Sequence, residues 1–206
     1  GHNRQVGKAG TTYIDDFEAT KSTVDLRSVY KWSLASTPQM QMQMFPEANT
    51  SDNDSDRKKL AYGYNRAKFC WYIIDPIFYR NNNATPSNIT DEDQSATYAR
   101  EVYETELFPY KETANGTPTN ISVLNLAFYP SERGPYNYDV DGSEGLSAGL
   151  NQDGTLNDPE SRWGGIMREM DNTDFESSNY EYIEFWMMDP FIDNPNHRGG
   201  KLYFNL

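Results

Sequence analysis

The stretch AKFCWYIIDP, residues 67–76, decides the fold class. Side chains alternate along a strand. Ala67, Phe69, Trp71 and Ile73 therefore share one face, and Lys68, Cys70, Tyr72 and Ile74 the other. Aromatic and β-branched residues suit a pleated surface. Asp75-Pro76 ends the run, because proline cannot donate to a ladder. The spacing predicts a buried strand.

Other strands follow outward from it. TTYIDDFEAT (11–20) reads as a short strand anchored by Ile14 and Phe17, then acids. Ile121, Val123, Leu124, Leu126 and Phe128 form a strand after an Asn115-Gly116 turn, stopped by Pro130. WGGIMREMDNTDF (163–175) reads as a strand with close backbone approach at Gly164-Gly165. In NYEYIEFWMMDPF (179–191), Ile183, Phe185 and Met187 are expected to face an opposite sheet. Tyr182, Glu184, Trp186 and Met188 share the other face, which is either covered by a loop or helix or left as an exposed aromatic platform. GGKLYFNL (199–206) reads as the last strand. Met40, Met42 and Met44 alternate with glutamine, as in an edge strand or extended loop with the methionines inward. SATYAREVYETELFP (95–109) is the one expected helix, with Tyr98, Val102 and Leu107 as a stripe and Pro109 as its stop. The sum is a mainly β chain, expected as a jelly-roll-like β-sandwich with long loops and about one helix. Residues 1–10 read as a tag remnant or flexible segment, and 11–206 as a single domain.

Composition narrows the function classes. The 18 Lys and Arg against 31 Asp and Glu leave a net charge of −13. That opposes binding to nucleic acid, which needs cations to displace phosphate counterions. It equally opposes docking on an anionic lipid surface. It suits divalent cations and basic partners. Cys70 is the single cysteine, so no intrachain disulfide forms, and it reads as a small buried hydrophobe. The only histidines are His2 and His197, which leaves no histidine metal site or thiol–histidine pair to build on. No apolar run approaches the ~20 residues of a membrane helix.

Acid clusters are the candidate chemistry. In DDFE, Asp15, Asp16 and Glu18 can supply oxygen ligands to calcium, or stand solvated and salt-bridged. The Phe17-Glu18 pair is similar to one that binds structural calcium in jelly-roll carbohydrate-binding modules, so Asp16 and Glu18 are the candidate metal residues. DVDGSEG, with Asp139, Asp141 and Glu144, resembles the start of an EF-hand loop but places Gly142 too early. No carboxylate pair is singled out for glycoside hydrolysis, and no nucleophile-elbow, zincin, P-loop or dinucleotide pattern occurs. Arg66, Arg133, Arg162 and Arg168 are expected to pair with acids or stack on aromatic rings. Tyr182 and Trp186 are the candidate interaction surface.

Five blocks carry a resemblance: YIDDFEATKSTVDLRSVYKWSLASTPQ, LAYGYNRAKFCWYIIDPIF, LNLAFYPSERGPYNYD, RWGGIMREMDNTDFESSNYEYIEFWMMDPF and GGKLYFNL. In this order they resemble successive segments of the SprA/Sov family, the giant outer-membrane translocon of the type 9 secretion system, required for gliding motility. The resemblance covers most of 11–206 and is weakest over 40–59 and 81–97. It implies a soluble domain excised from a very large β-barrel. The location would be the outer membrane, with the domain facing outward or toward the periplasm. The partners would be secreted cargo proteins and other translocon subunits, and lipid contact would come only through the barrel. No catalytic residues carry over, so no enzyme activity is expected. Trp32, Tyr62, Gly63, Tyr64, Arg66, Trp71, Pro135, Tyr136, Trp163, Gly164, Gly165 and Trp186 match the family and read as structural. The alternative is a carbohydrate-binding jelly-roll module, suggested by the aromatics and the Phe17-Glu18 pair.

Overall fold

A computed structural model of the chain describes residues 2–4, 12–14, 25–48, 60–110, 119–140, 145–170 and 184–205. Its strands are β1 (His2–Arg4), β2 (Thr12–Ile14), β3 (Ser33–Leu34), β4 (Ala67–Tyr72), β5 (Val102–Tyr103), β6 (Asn120–Ile121), β7 (Asn125–Arg133) and β8 (Ile166–Met167). Two short helices join them, α1 (Asp91–Ser95) and α2 (Glu104–Leu107). The architecture is mainly β. The strands pair antiparallel two by two: β1 with β2, β3 with β8, β4 with β7, and β5 with β6. No helix among the described residues is long and apolar enough to cross a membrane.

The chain divides into two compact units. The first comprises Gly1–Asp25, Ile74–Val123 and Asp171–Leu206, and the second Leu26–Ile73 and Leu124–Met170.

The second unit is organised on the β4–β7 ribbon. Phe69 opposes Phe128 with ring centroids 6.2 Å apart, and Trp71 opposes Leu126. Such cross-strand aromatic pairs are what stabilise a two-stranded ladder. The predicted strand over 67–73 is thus present as β4, but it is not buried as expected: only Ala67 is buried, Phe69, Cys70 and Trp71 are half-buried, and Tyr72 and Ile73 are exposed. The single strand expected over 121–128 is split: Ile121 belongs to β6, residues 122–124 are not strand, and β7 starts at Asn125 and continues through Pro130 to Arg133. The register explains the passage through Pro130. Lys68 opposes Tyr129 while Ala67 opposes Arg133, so residues 130–132 bulge out of the ladder. Pro130 sits in that bulge, where its missing N–H costs no ladder bond.

Glycines set the approach of the loops to this ribbon. A Cβ on Gly164 would lie 2.8 Å from Phe69 Cβ, so the close approach expected at that position is real. A Cβ on Gly63 would lie 2.1 Å from the backbone oxygen of Tyr136. Tyr136 itself has a φ of 59°, in the left-handed region that non-glycine residues seldom occupy. The turn over 134–137 is held tightly by its neighbours, which sustains that conformation.

The predicted helix over 95–109 is replaced by two helical turns with a strand between. α1 starts earlier, at Asp91. Thr90 Oγ1 accepts from Asp93 N (3.2 Å) and Asp93 Oδ2 from Thr90 N (2.9 Å), a capping box. It ends at Ser95, as Ala96 turns to ψ 138°. Val102 and Tyr103 then pair with Ile121 and Asn120. A strand partner outweighs helical periodicity here, since an isolated helix of this length is marginal.

Three further expectations are corrected. Residues 184–189 and 201–205 are neither strand nor helix, so the predicted strands over 179–188 and 199–206 are absent in their described parts. Phe185 and Met187, expected inside, are exposed. Met40 and Met42 are exposed, Met40 to 95%, and residues 42–44 form a turn. Phe45, at the end of that turn, is the residue that enters the interior.

Gly63→Ala is expected to lose about 1–3 kcal/mol of stability in urea denaturation, because backbone cannot yield to the new methyl. Gly165→Ala meets only Ala35 Cβ, at 3.3 Å, and is expected to lose less.

Candidate functional site

The interior of the second unit is polar. Glu47, Asn65, Arg66, Asn137, Asp139 and Arg162 are all buried there. Buried charges need hydrogen-bond partners or an opposite charge. Arg66 Nη1 and Nη2 donate to Pro135 O (3.2 Å) and Ala35 O (3.0 Å), while its Nε is buried without a partner. Arg162 Nη2 donates to Gly149 O (2.7 Å) and Asn157 O (2.8 Å), and Nη1 to Tyr64 O (2.9 Å). Its Nε donates to Asn157 O (2.9 Å). One guanidinium thus gathers carbonyls from three loops. Burial lowers its pKa, opposed first by the Asp139 carboxylate. That carboxylate lies 3.7 Å from Nη1, with both side chains fully buried. Asp139 Oδ1 accepts from Val140 N (3.0 Å), and Oδ2 accepts from the Ser147 hydroxyl. Asn137 Nδ2 donates to Tyr64 O and Arg66 O (2.9 and 2.8 Å), which pins the Tyr136 turn against β4.

Glu47 is the second anion. Its oxygens accept from Trp163 Nε1 (2.8 Å) and Asn65 Nδ2 (2.9 Å). Phe45 meets the Trp163 ring edge-on, with centroids 5.4 Å apart. The Arg66 guanidinium lies over the same indole, 5.0 Å from its centroid, and Arg168 lies over Trp32 at 5.5 Å. Two of the four predicted arginines therefore stack on tryptophan. Arg133 Nη2 donates to Asp139 O (2.8 Å), and Arg162 pairs with the Asp139 carboxylate.

This network changes the reading of one acid cluster. Asp139, a candidate in the EF-hand-like stretch, is committed to Arg162, Ser147 and its own loop, so it is not poised for a cation. Asp141 and Glu144 lie outside the described residues, as do Asp16, Glu18 and Tyr182. Among the described residues, no group of three His, Cys, Asp or Glu side chains could hold a metal ion.

The first unit presents the opposite picture, with apolar groups at its surface. Trp186 is 70% exposed, Tyr110 97% and Phe108 47%. Trp186 meets Phe108 edge-on at 6.5 Å between centroids. Leu107, Phe108, Pro109 and Tyr110 line a depression beside that contact. Phe185 packs on Phe204 at 5.0 Å, and Phe191 stacks on His197 at 4.1 Å. Residues 184–205 thus form an irregular strip whose large side chains touch mainly one another.

Behind it lies a rigid support. Arg80 is bonded to Glu101, and Arg100 holds Glu106 with Nη1 and Nη2 (3.0 and 2.9 Å). Glu106 Oε1 also accepts from Tyr103 N (3.0 Å), which fixes α2 just before Phe108. Of the two predicted surface residues, then, Trp186 is on the surface and meets Phe108, which lines the depression together with Tyr110. These two were not anticipated from the sequence. The signal was there in ELFPY (106–110), where aromatics flank a proline directly after acids. The buried role of Glu47 was also missed, and a lone glutamate after proline gives no sign of it.

No family model matches the chain, and no curated protein matches it.

Two outcomes test the polar interior. Arg162→Lys keeps the charge but not the fork, and is expected to cost about 2–4 kcal/mol in urea denaturation. Burial raises the Glu47 pKa above its usual 4.5, against the hydrogen bonds from Trp163 and Asn65 that lower it. The folded state therefore holds this proton more tightly than the unfolded chain does. The stability tied to it is complete below about pH 4.5 and is lost as pH rises through the raised value. The melting-temperature difference between the native chain and Glu47→Gln is expected to shrink from about pH 4 to about pH 7.

Proposed function

We propose that this chain is a non-catalytic domain of the type 9 secretion translocon, serving interaction, capping or gating during protein export and gliding motility. The observation that carries this reading is the strip over 184–205, with Trp186 and Phe108 at its centre. Its apolar side chains lie at the surface, which fits a segment covered in a larger assembly by the parent barrel, a further subunit or passing cargo. The five sequence blocks that resemble the SprA/Sov family support the same reading. The domain would sit at the outer membrane, on the outward side of the barrel, where long insertions between strands are favoured.

A jelly-roll-like sandwich is the finer fold within this reading. It is supported by antiparallel pairs that join strands far apart in sequence, β3 with β8 and β4 with β7.

Deleting residues 11–206 from the parent protein, with assembly of the barrel verified, is expected to abolish export of type 9 cargo. Normal export by that strain would overturn the reading.

A further inference from the structure

We propose that the Phe108–Trp186 surface of the first unit docks an extended, arginine-bearing polypeptide segment. The inference rests on the translocon reading only for who supplies the segment, which would be cargo or a subunit. The binding chemistry stands on three observations.

The first is charge. The first unit carries 19 Asp and Glu against 8 Lys and Arg, a net of −11, and the second unit 12 against 10, a net of −2. Most of the chain's net negative charge, −11 of −13, is therefore on the unit that exposes the aromatic surface. Two cations of the first unit, Arg80 and Arg100, are taken by Glu101 and Glu106. They do not offset the remaining acids.

The second is the local sequence around Trp186. Glu184 stands two residues before it and Asp189 three after, and no Lys or Arg occurs from 184 to 197. Glu184 is exposed and makes no hydrogen bond or ion pair among the described residues. Acids this near in sequence to an exposed indole offer a guanidinium both a fork partner and a π surface.

The third is how this chain treats its other tryptophans. Trp163 and Trp32 each carry an arginine over the ring, at 5.0 and 5.5 Å. Trp71 directs its N–H to Val29 O (3.2 Å) within the second unit. Trp186 is the most exposed of the four, and it has no cation on its ring among the described residues. An incoming arginine would complete the same arrangement. The depression lined by Leu107, Phe108 and Tyr110 beside it suits an apolar side chain two residues along an extended segment.

The test uses the full chain and a fluorescent alternating arginine–leucine peptide of about twelve residues, followed by anisotropy. Saturable binding that weakens with added salt is expected, with a glutamate–leucine peptide inert. Trp186→Ala and the double variant Glu184→Lys, Asp189→Lys are each expected to weaken binding about tenfold, folding being verified by circular dichroism. Equal binding of the glutamate peptide, or unchanged affinity in both variants, would overturn the proposal. So would sedimentation showing that two copies of the chain associate through Trp186. Peptide binding together with normal export by the deletion strain removes the translocon reading and leaves this one. Failed export without peptide binding does the reverse.

Discussion

The buried guanidinium of Arg162 is the constraint on which the second unit depends. A loop carbonyl that leaves water needs a donor, and an unpaired one costs as much as a lost hydrogen bond. The loops that close over β4 and β7 bring the carbonyls of Tyr64, Gly149 and Asn157 to one place. Gly149 O also accepts from Asn157 N (3.0 Å) and Tyr64 O from Asn137 Nδ2 (2.9 Å), so the guanidinium adds to bonds already present. A planar group with five N–H donors reaches all three carbonyls at once, which no apolar core residue could do. The Asp139 carboxylate then balances the charge, and its oxygens also accept from Val140 N and the Ser147 hydroxyl. The glycines at 63 and 164 are the steric counterpart, since they let those loops come near enough for the bonds to form.

An interior of this kind trades apolar burial for connectivity. A polar network in low dielectric holds to the extent that its members are satisfied. In return it fixes the geometry of irregular loops that no sheet or helix would hold. This is why a chain with short strands and long loops can have a defined second unit. It is also why the aromatic residues there, Trp163 and Trp32, serve as surfaces for arginine and not as members of an oily core.

The first unit solves a different problem. Its ion pairs, Arg80 with Glu101 and Arg100 with Glu106, lie near the surface and contribute little to stability. What they do is hold α2 and the turn after it in place. Phe108 and Tyr110 are thereby presented outward, Phe108 against Trp186. The acids left over make that face an attractive one for positive charge, by the same long-range field that disfavours nucleic acid.

The local pattern in the sequence was sufficient for some elements and not for others. The 67–72 strand and the close approach at Gly164 were legible, because alternation and glycine are local signals with one physical cause each. The helix over 95–109 was misread because a strand partner, Ile121, lies beyond any local window. Pro130 was taken as a stop because a bulge depends on the register of the opposite strand. The strip over 184–205 looked like two strands because its aromatics alternate, yet alternation makes a strand only where a partner edge is within reach. By itself the sequence determined the mainly β character and the acidic balance. Only the tertiary structure decided which acids and arginines are buried together and which aromatics stay outside. Hydrogen bonds and ion pairs between distant loops depend on where the backbone brings them, and no periodicity encodes that.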